Sequence, residues 1–443
     1  MTRRRAHRPL NVFLNGRLAG TLRREFTGAI DFQYASDWLT WEKTFPVSLS
    51  LPLREDRYIG APVINVFDNL LPDSDSIRKR VAERVGAGGT DAYSLLTALG
   101  HDCVGALQFL PDRLDPGPAG ALDGQQVSED EVADIVNNLS ASPLGMGEDE
   151  DFRISIAGAQ EKTALLWNEG QWMRPLGATP TTHIVKLPLG LVGNMQADMR
   201  TSVYNEWLCL KLMAALGFDA AQARIVTFAD HPPVLVVERF DRRTHPSGKW
   251  ILRLPQEDFC QARGVNPARK YEAEGGPGVE QLAQVLHGSR NARVDLRTLL
   301  ASQVAFWLMA ATDGHAKNFS LRLHAGGQYE LAPLYDVLSA WPVIGLGKNQ
   351  LSWHNAKLAM AVSGKNRHYH LANIMRRHFN ATAARCGVGG NAEDIIGELL
   401  TKVDGAIEAV AKQLPEGFPQ DVAAAIFEGM RTQTKRLHEQ PAA

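Results

Sequence analysis

An α+β fold, β-rich first and mostly helical last, is predicted by three features of the 443-residue sequence. Short alternating apolar runs, separated by Gly, Asn and Pro turns, dominate the chain as far as Pro255. Beyond Pro255 apolar residues recur mainly at helical spacing. The composition, 44% hydrophobic and 22% charged, suits a chain that buries a core in each of two or three domains. Lys plus Arg number 47 against 49 Asp plus Glu, a formal net charge of −2, which excludes a globally basic nucleic-acid binder but not local basic patches. The four cysteines are far apart and form no C-x-x-C pair, so neither a disulfide framework nor a zinc site is expected, and a reducing cytoplasm suits them. No signal peptide and no membrane span are expected.

Residues 1–125 form the first part, a β-rich subdomain with helices. "LNVFLNGRLAGTL" reads as a hairpin around Asn15-Gly16, and "FPVSLSLPL" as a further strand. Helices follow in "VINVFDNLLPDSDSIRKRVAERVG", with Asp73 or Ser74 as N-cap. The Pro/Gly/Asp-rich stretch 110–126 is the boundary candidate.

Residues 126–254 form the second part, opening with a short helix in "SEDEVADIVNNLS". Strands are expected in "DFRISI", "TALLW", "QWMRP" and "THIVKLPL", the middle pair turning at "NEG". The segment 187–200 reads as a mobile loop. A helix then carries Val203, Trp207, Leu210 and Met213 on one stripe and stops at Gly217. Strands "ARIVTFA" and "PPVLVVERF" complete this part.

Residues 255–443 form the helical part, and it carries the chemistry. Directly behind the apolar helix "LLASQVAFWLMAA", the stretch "TDGHAKNFS" presents Asp313, His315, Lys317 and Asn318. Asp313 and Asn318 have the D-x-x-x-x-N spacing of a kinase catalytic loop, in which the Asp accepts the substrate's hydroxyl proton and the Asn holds Mg²⁺. A strand–turn–strand about Gly326-Gly327 is expected to return Asp336 to Asn318 as a second metal ligand, although Val337 and Leu338 stand where a D-F-G motif has Phe and Gly. Upstream, Lys186 lies inside an apolar strand, a costly place for a charge unless a phosphate or carboxylate pairs with it, and Glu206 on the next helix is its expected partner. Glu238 and Phe240 end an apolar strand where a linker offers contacts to adenine, and Gln256 falls near the ribose.

The ordered set "DFRISIAGAQEKTALL", "TPTTHIVKLP", "NEWLCLKL", "VVERFDRR", "RLPQEDFCQ", "KYEAEGGPG", "ATDGHAKNFS" and "LAPLYDVLSA" resembles the HipA family, the serine/threonine kinase toxins of bacterial HipBA toxin–antitoxin systems. "VFDNLLPDS" and "ALGHDCVGAL" extend the resemblance over nearly the whole chain. It implies a bilobal protein-kinase fold related to phosphoinositide kinases, with ATP and Mg²⁺ as cofactors. Asp313 is then the catalytic base, with His315 and Lys317 in its loop and Lys317 neutralising γ-phosphate charge. Asn318 and Asp336 become the Mg²⁺ ligands. The ATP set is Ile156, Ala157, Gly158, Ala159, Gln160, Glu161 and Lys162 of the phosphate loop, with Lys186, Glu206, Glu238, Phe240, Gln256 and Tyr335.

Ser155 is implied as an inactivating autophosphorylation site, and a phosphate there would repel the nucleotide from the adjoining loop. The resemblance also implies a HipB-like helix-turn-helix antitoxin as partner and contact with operator DNA only within that complex. The protein substrate it implies is a translation component, glutamyl-tRNA synthetase. A small-molecule kinase of the aminoglycoside or choline type, and a non-catalytic partner of a DNA-binding repressor, are the alternatives.

Overall fold

The computed structural model describes residues 7–112, 114–117, 122–138, 160–193 and 195–441. It divides into two compact units, each discontinuous in sequence, where the sequence reading drew three contiguous parts. The first unit takes Met1–Leu187, Val226–Ala268 and Leu321–Tyr329; the second takes Pro188–Ile225, Arg269–Ser320 and Glu330–Ala443.

In the first unit Asn15 and Gly16 both adopt positive φ, +47° and +79°, and so turn strand Leu10–Leu14 back onto Arg17–Arg24. Ile30–Tyr34 and Tyr58–Ile59 extend this sheet on one side and Leu107–Pro111 on the other. Helix Ala61–Phe67 covers it, with the Phe67 ring edge-on to Phe32 and Phe109, centroids 5.6 and 5.1 Å away. Ser74, not Asp73, caps helix Asp75–Arg84.

"FPVSLSLPL" is not a strand. Pro46 and Pro52 remove two ladder donors, and the segment instead hooks onto Glu257, whose carboxylate accepts from the Ser48 hydroxyl (2.5 Å) and the Leu49 N–H (2.8 Å).

A second sheet sets Val234–Glu238, His183–Lys186, Lys162–Asn168, Gln171–Pro175 and Gly124–Gln126 side by side. Glu169 and Gly170 make its tight turn at positive φ, and Ser128 starts helix Glu129–Asn137 with a capping box. A buried ionic cluster joins the two sheets. The Asp102 carboxylate accepts from Arg253 (2.8 Å), Arg242 (2.9 Å) and Arg239 (3.3 Å), and Asp241 receives Arg239 through both oxygens. Burial alone would raise the Asp102 carboxyl, but Arg242, Arg253 and Arg239 hold it well below the usual carboxylate range.

The second unit is mostly helical. Glu393–Ala411 packs on Ser202–Ala215 and Ala292–Leu308, and Gln420–Glu439 on Ala292–Leu308. Gly217, at φ +101°, ends its first helix as expected. Two ribbons were not anticipated. Lys357–Ser363 pairs with Arg367–His370, and within the expected loop 187–200 Leu191–Val192 pairs with Ala197–Asp198. All four cysteines are buried free thiols. Among the described residues no helix is long and apolar enough to cross a membrane.

Candidate active site

Ser155, Ile156, Ala157, Gly158 and Ala159 lie outside the described residues. Of the rest of the phosphate loop, Gln160 donates its side-chain amide to the Leu187 carbonyl, and Glu161 is ion-paired with Arg80. Lys162 begins a strand whose register sets it directly opposite Lys186. Both lysines are buried, at 9% and 5% exposure, so Lys162 is no solvated strand-end charge. Two ammonium groups facing each other across neighbouring strands suit a polyanion.

One strand further along, Glu238 is exposed opposite His183, and the Arg322 guanidinium lies 5.9 Å from the centre of the half-buried Phe240 ring. Gln256 is buried, and its Oε1 has no hydrogen-bond partner among the described residues. A buried acceptor left open in this way fits a ribose hydroxyl. Gly105 abuts it at φ +74°, where a Cβ would stand 2.7 Å from the Gln256 carbonyl oxygen.

In the second unit, helix Ala292–Leu308 ends in a turn where Ala310 takes φ +48°. The chain then passes so close to the helix that a Cβ on Gly314 would lie 2.6 Å from the Phe306 ring. Asp313 emerges with its side chain half exposed, while His315, Lys317 and Asn318 are buried. The Asn318 side-chain N–H donates to the Asp313 carbonyl at 2.7 Å, which closes the loop and leaves Oδ1 as the amide atom for a metal.

The Tyr335 hydroxyl donates to the Lys317 carbonyl (2.7 Å) and lies 2.6 Å from the Ser320 hydroxyl, which ties the residue before Asp336 to the loop 313–320. Tyr335 thus stitches the loop together through its hydroxyl. Asp336 itself takes φ +58°. A carboxylate and an amide oxygen are donors of the hard kind that Mg²⁺ takes.

Glu206 is buried at 1% exposure within Ser202–Ala215. Lys186 and Glu206 fall in different units. Its neighbour Asn205 exchanges two hydrogen bonds with the Ser339 backbone, at 2.7 and 2.8 Å.

The comparisons with known proteins decide the family. Residues 154–407 match the HipA-like C-terminal domain and residues 10–110 the HipA N-terminal domain. The chain belongs to the HipA family. It is 35% identical over 415 residues to "Putative kinase Y4mE" of Sinorhizobium fredii, covering 92% of each. It is 29% identical over 322 residues to "Serine/threonine-protein kinase toxin HipA" of Shewanella oneidensis, covering 69% of each. The structure of the Shewanella oneidensis HipA, HipB and operator DNA complex holds a chain that superposes with a TM-score of 0.77 at 23% identity, over 97% of both chains. The fold is therefore the protein-kinase-like fold of HipA.

Several residues of this HipA-family chain escaped the sequence reading. Asn205, Asp102 and Tyr271 each sit within motifs that carry the family resemblance, "NEWLCLKL", "ALGHDCVGAL" and "KYEAEGGPG", yet nothing in their spacing names a partner.

Proposed function

We propose that this protein is an ATP- and Mg²⁺-dependent serine/threonine protein kinase, the toxin of a toxin–antitoxin pair. The observation that carries the reading is the catalytic loop itself. Asp313 is half exposed at its mouth, Asn318 is tied back to the Asp313 carbonyl, and Tyr335, the residue before Asp336, is bonded to the Lys317 carbonyl. Lys162, Lys186 and Gln256 bind the nucleotide, the lysines through phosphate oxygens and Gln256 through the ribose. Glu238 and Phe240 receive adenine. Asp313 takes the proton of the acceptor hydroxyl as its oxygen bonds to the γ-phosphorus and the bond to the bridging oxygen breaks, releasing ADP. Asn318 and Asp336 would hold Mg²⁺, which would supply charge neutralisation on the β- and γ-phosphates. Lys317 adds positive charge beside the transferring group.

The resemblance to HipA supports the finer parts of the proposal. They are restraint by a HipB-like helix-turn-helix antitoxin, operator contact only within that complex, glutamyl-tRNA synthetase as target, and self-inactivation at Ser155. The test is γ-labelled ATP with Mg²⁺, offered to wild type and Asp313→Asn with and without glutamyl-tRNA synthetase, followed by phosphopeptide mapping. Label on Ser155 and on the synthetase in wild type alone is the expected result. Label on neither, with nucleotide bound, would overturn the kinase reading.

A further inference from the structure

The catalytic loop has a contact that a bare kinase loop does not require. The Tyr271 hydroxyl donates to Asp313 Oδ1 at 2.6 Å, and its ring meets the buried His315 edge-on, centroids 4.9 Å apart at 80°. His315 Nε2 stands 4.0 Å from the same oxygen. Asp313 Oδ2 has no hydrogen-bond partner among the described residues. One carboxylate oxygen is thus held while the other is left for an incoming hydroxyl.

The tyrosine is itself anchored. The next residue, Glu272, is buried, and its carboxylate accepts from the Ala361 N–H at 2.6 Å and pairs with Arg367 at 2.7 Å. Ala361 and Arg367 belong to the ribbon formed by Lys357–Ser363 and Arg367–His370. A Cβ on Gly278 would lie 2.3 Å from the Glu272 carboxyl carbon, and one on Gly276 would lie 2.1 Å from the Arg269 carbonyl oxygen. The segment 269–278 is therefore packed close against its own backbone and clipped to the ribbon, and the Tyr271 phenol reaches from it to Asp313.

We infer that Tyr271 is a positioning residue for the catalytic base: it fixes the Asp313 carboxylate through Oδ1 so that Oδ2 meets the acceptor hydroxyl, and the Glu272–ribbon clip holds Tyr271 in place. The inference rests on the kinase reading above. The phenol reduces the rotamer freedom of a half-exposed side chain, and misplacing a base by a fraction of an ångström lowers turnover without touching nucleotide affinity. Tyr271→Phe keeps the ring against His315 and removes only the hydrogen bond.

The experiment measures phosphotransfer to a protein acceptor, ATP affinity and thermal unfolding for wild type, Tyr271→Phe, Glu272→Gln and Asp313→Asn. Tyr271→Phe is expected to lower kcat about tenfold or more with KM for ATP and the melting temperature unchanged. Glu272→Gln should lower kcat less. Unchanged kcat in Tyr271→Phe, with Asp313→Asn inactive, would overturn the positioning role and leave the kinase reading standing. A faster Tyr271→Phe with lower KM for the acceptor would likewise overturn it, making the phenol a plug. Full transfer by Asp313→Asn, or none by wild type, would overturn the kinase reading and this inference together.

Discussion

Asp336 holds its backbone at φ +58°, a region that costs most side chains free energy and that Asp and Asn tolerate best. The two demands on this position, a left-handed backbone and a metal oxygen, can therefore be separated. Asp336→Asn is expected to keep the wild-type melting temperature while losing Mg²⁺-dependent nucleotide affinity, read by calorimetry with and without Mg²⁺. Asp336→Val should lose both, with a stability cost of about 1–3 kcal/mol. Lys162 makes a second case. Opposite Lys186 and buried, it is expected to bind the triphosphate, so Lys162→Ala should raise KM for ATP and flatten its salt dependence. Asp313 and Asn318 stand out as candidates in the sequence because their spacing is itself the motif, whereas Asp336 depends on the expected strand–turn–strand and departs from D-F-G. The resemblance puts Lys162 at the end of the phosphate loop, but its burial opposite Lys186 is invisible in a string of letters.

Turns and caps that depend on two or three adjacent residues follow the sequence closely: Asn15-Gly16, the Ser128 capping box, Gly217. The segment 45–53 does not, because its alternation serves a hook onto Glu257 some two hundred residues away. The same holds for the joints that place the catalytic loop. Gly314 is there because the loop runs against Phe306, so Gly314→Ala should cut phosphotransfer sharply, and Phe306→Ala in the same chain should restore part of it. Asn205 clamps the segment after Asp336 by two buried hydrogen bonds to Ser339. Asn205→Ala is expected to cost about 2 kcal/mol or more in urea unfolding, since both Ser339 backbone groups lose their partner.

Across the first unit, charge is buried deliberately. Asp102 serves three arginines, so Asp102→Asn would leave Arg239 and Arg242 with Asp241 and take from the buried Arg253 its carboxylate, a loss of about 3–5 kcal/mol measurable by denaturant unfolding. Glu257 acts in the opposite sense. Burial pushes its carboxyl up to about 8 against the hydrogen bonds from Ser48 and Leu49, so the folded chain keeps a proton that the unfolded chain releases. Its contribution is fully present below the usual carboxylate range and is lost as pH rises towards 8. Glu257→Gln should therefore flatten the fall in melting temperature over that window. Neither the cluster nor Glu257 was legible, because each joins residues that the sequence scatters. The Asp102–Arg253 bond spans 151 positions. At ordinary translation rates of about 5–20 residues per second, the last of its three arginines is made about 8–30 s after Asp102. A nascent chain stopped just short of residue 253 would hold Asp102 with Arg239 and Arg242 but without its third arginine, so the buried cluster is completed only late in synthesis.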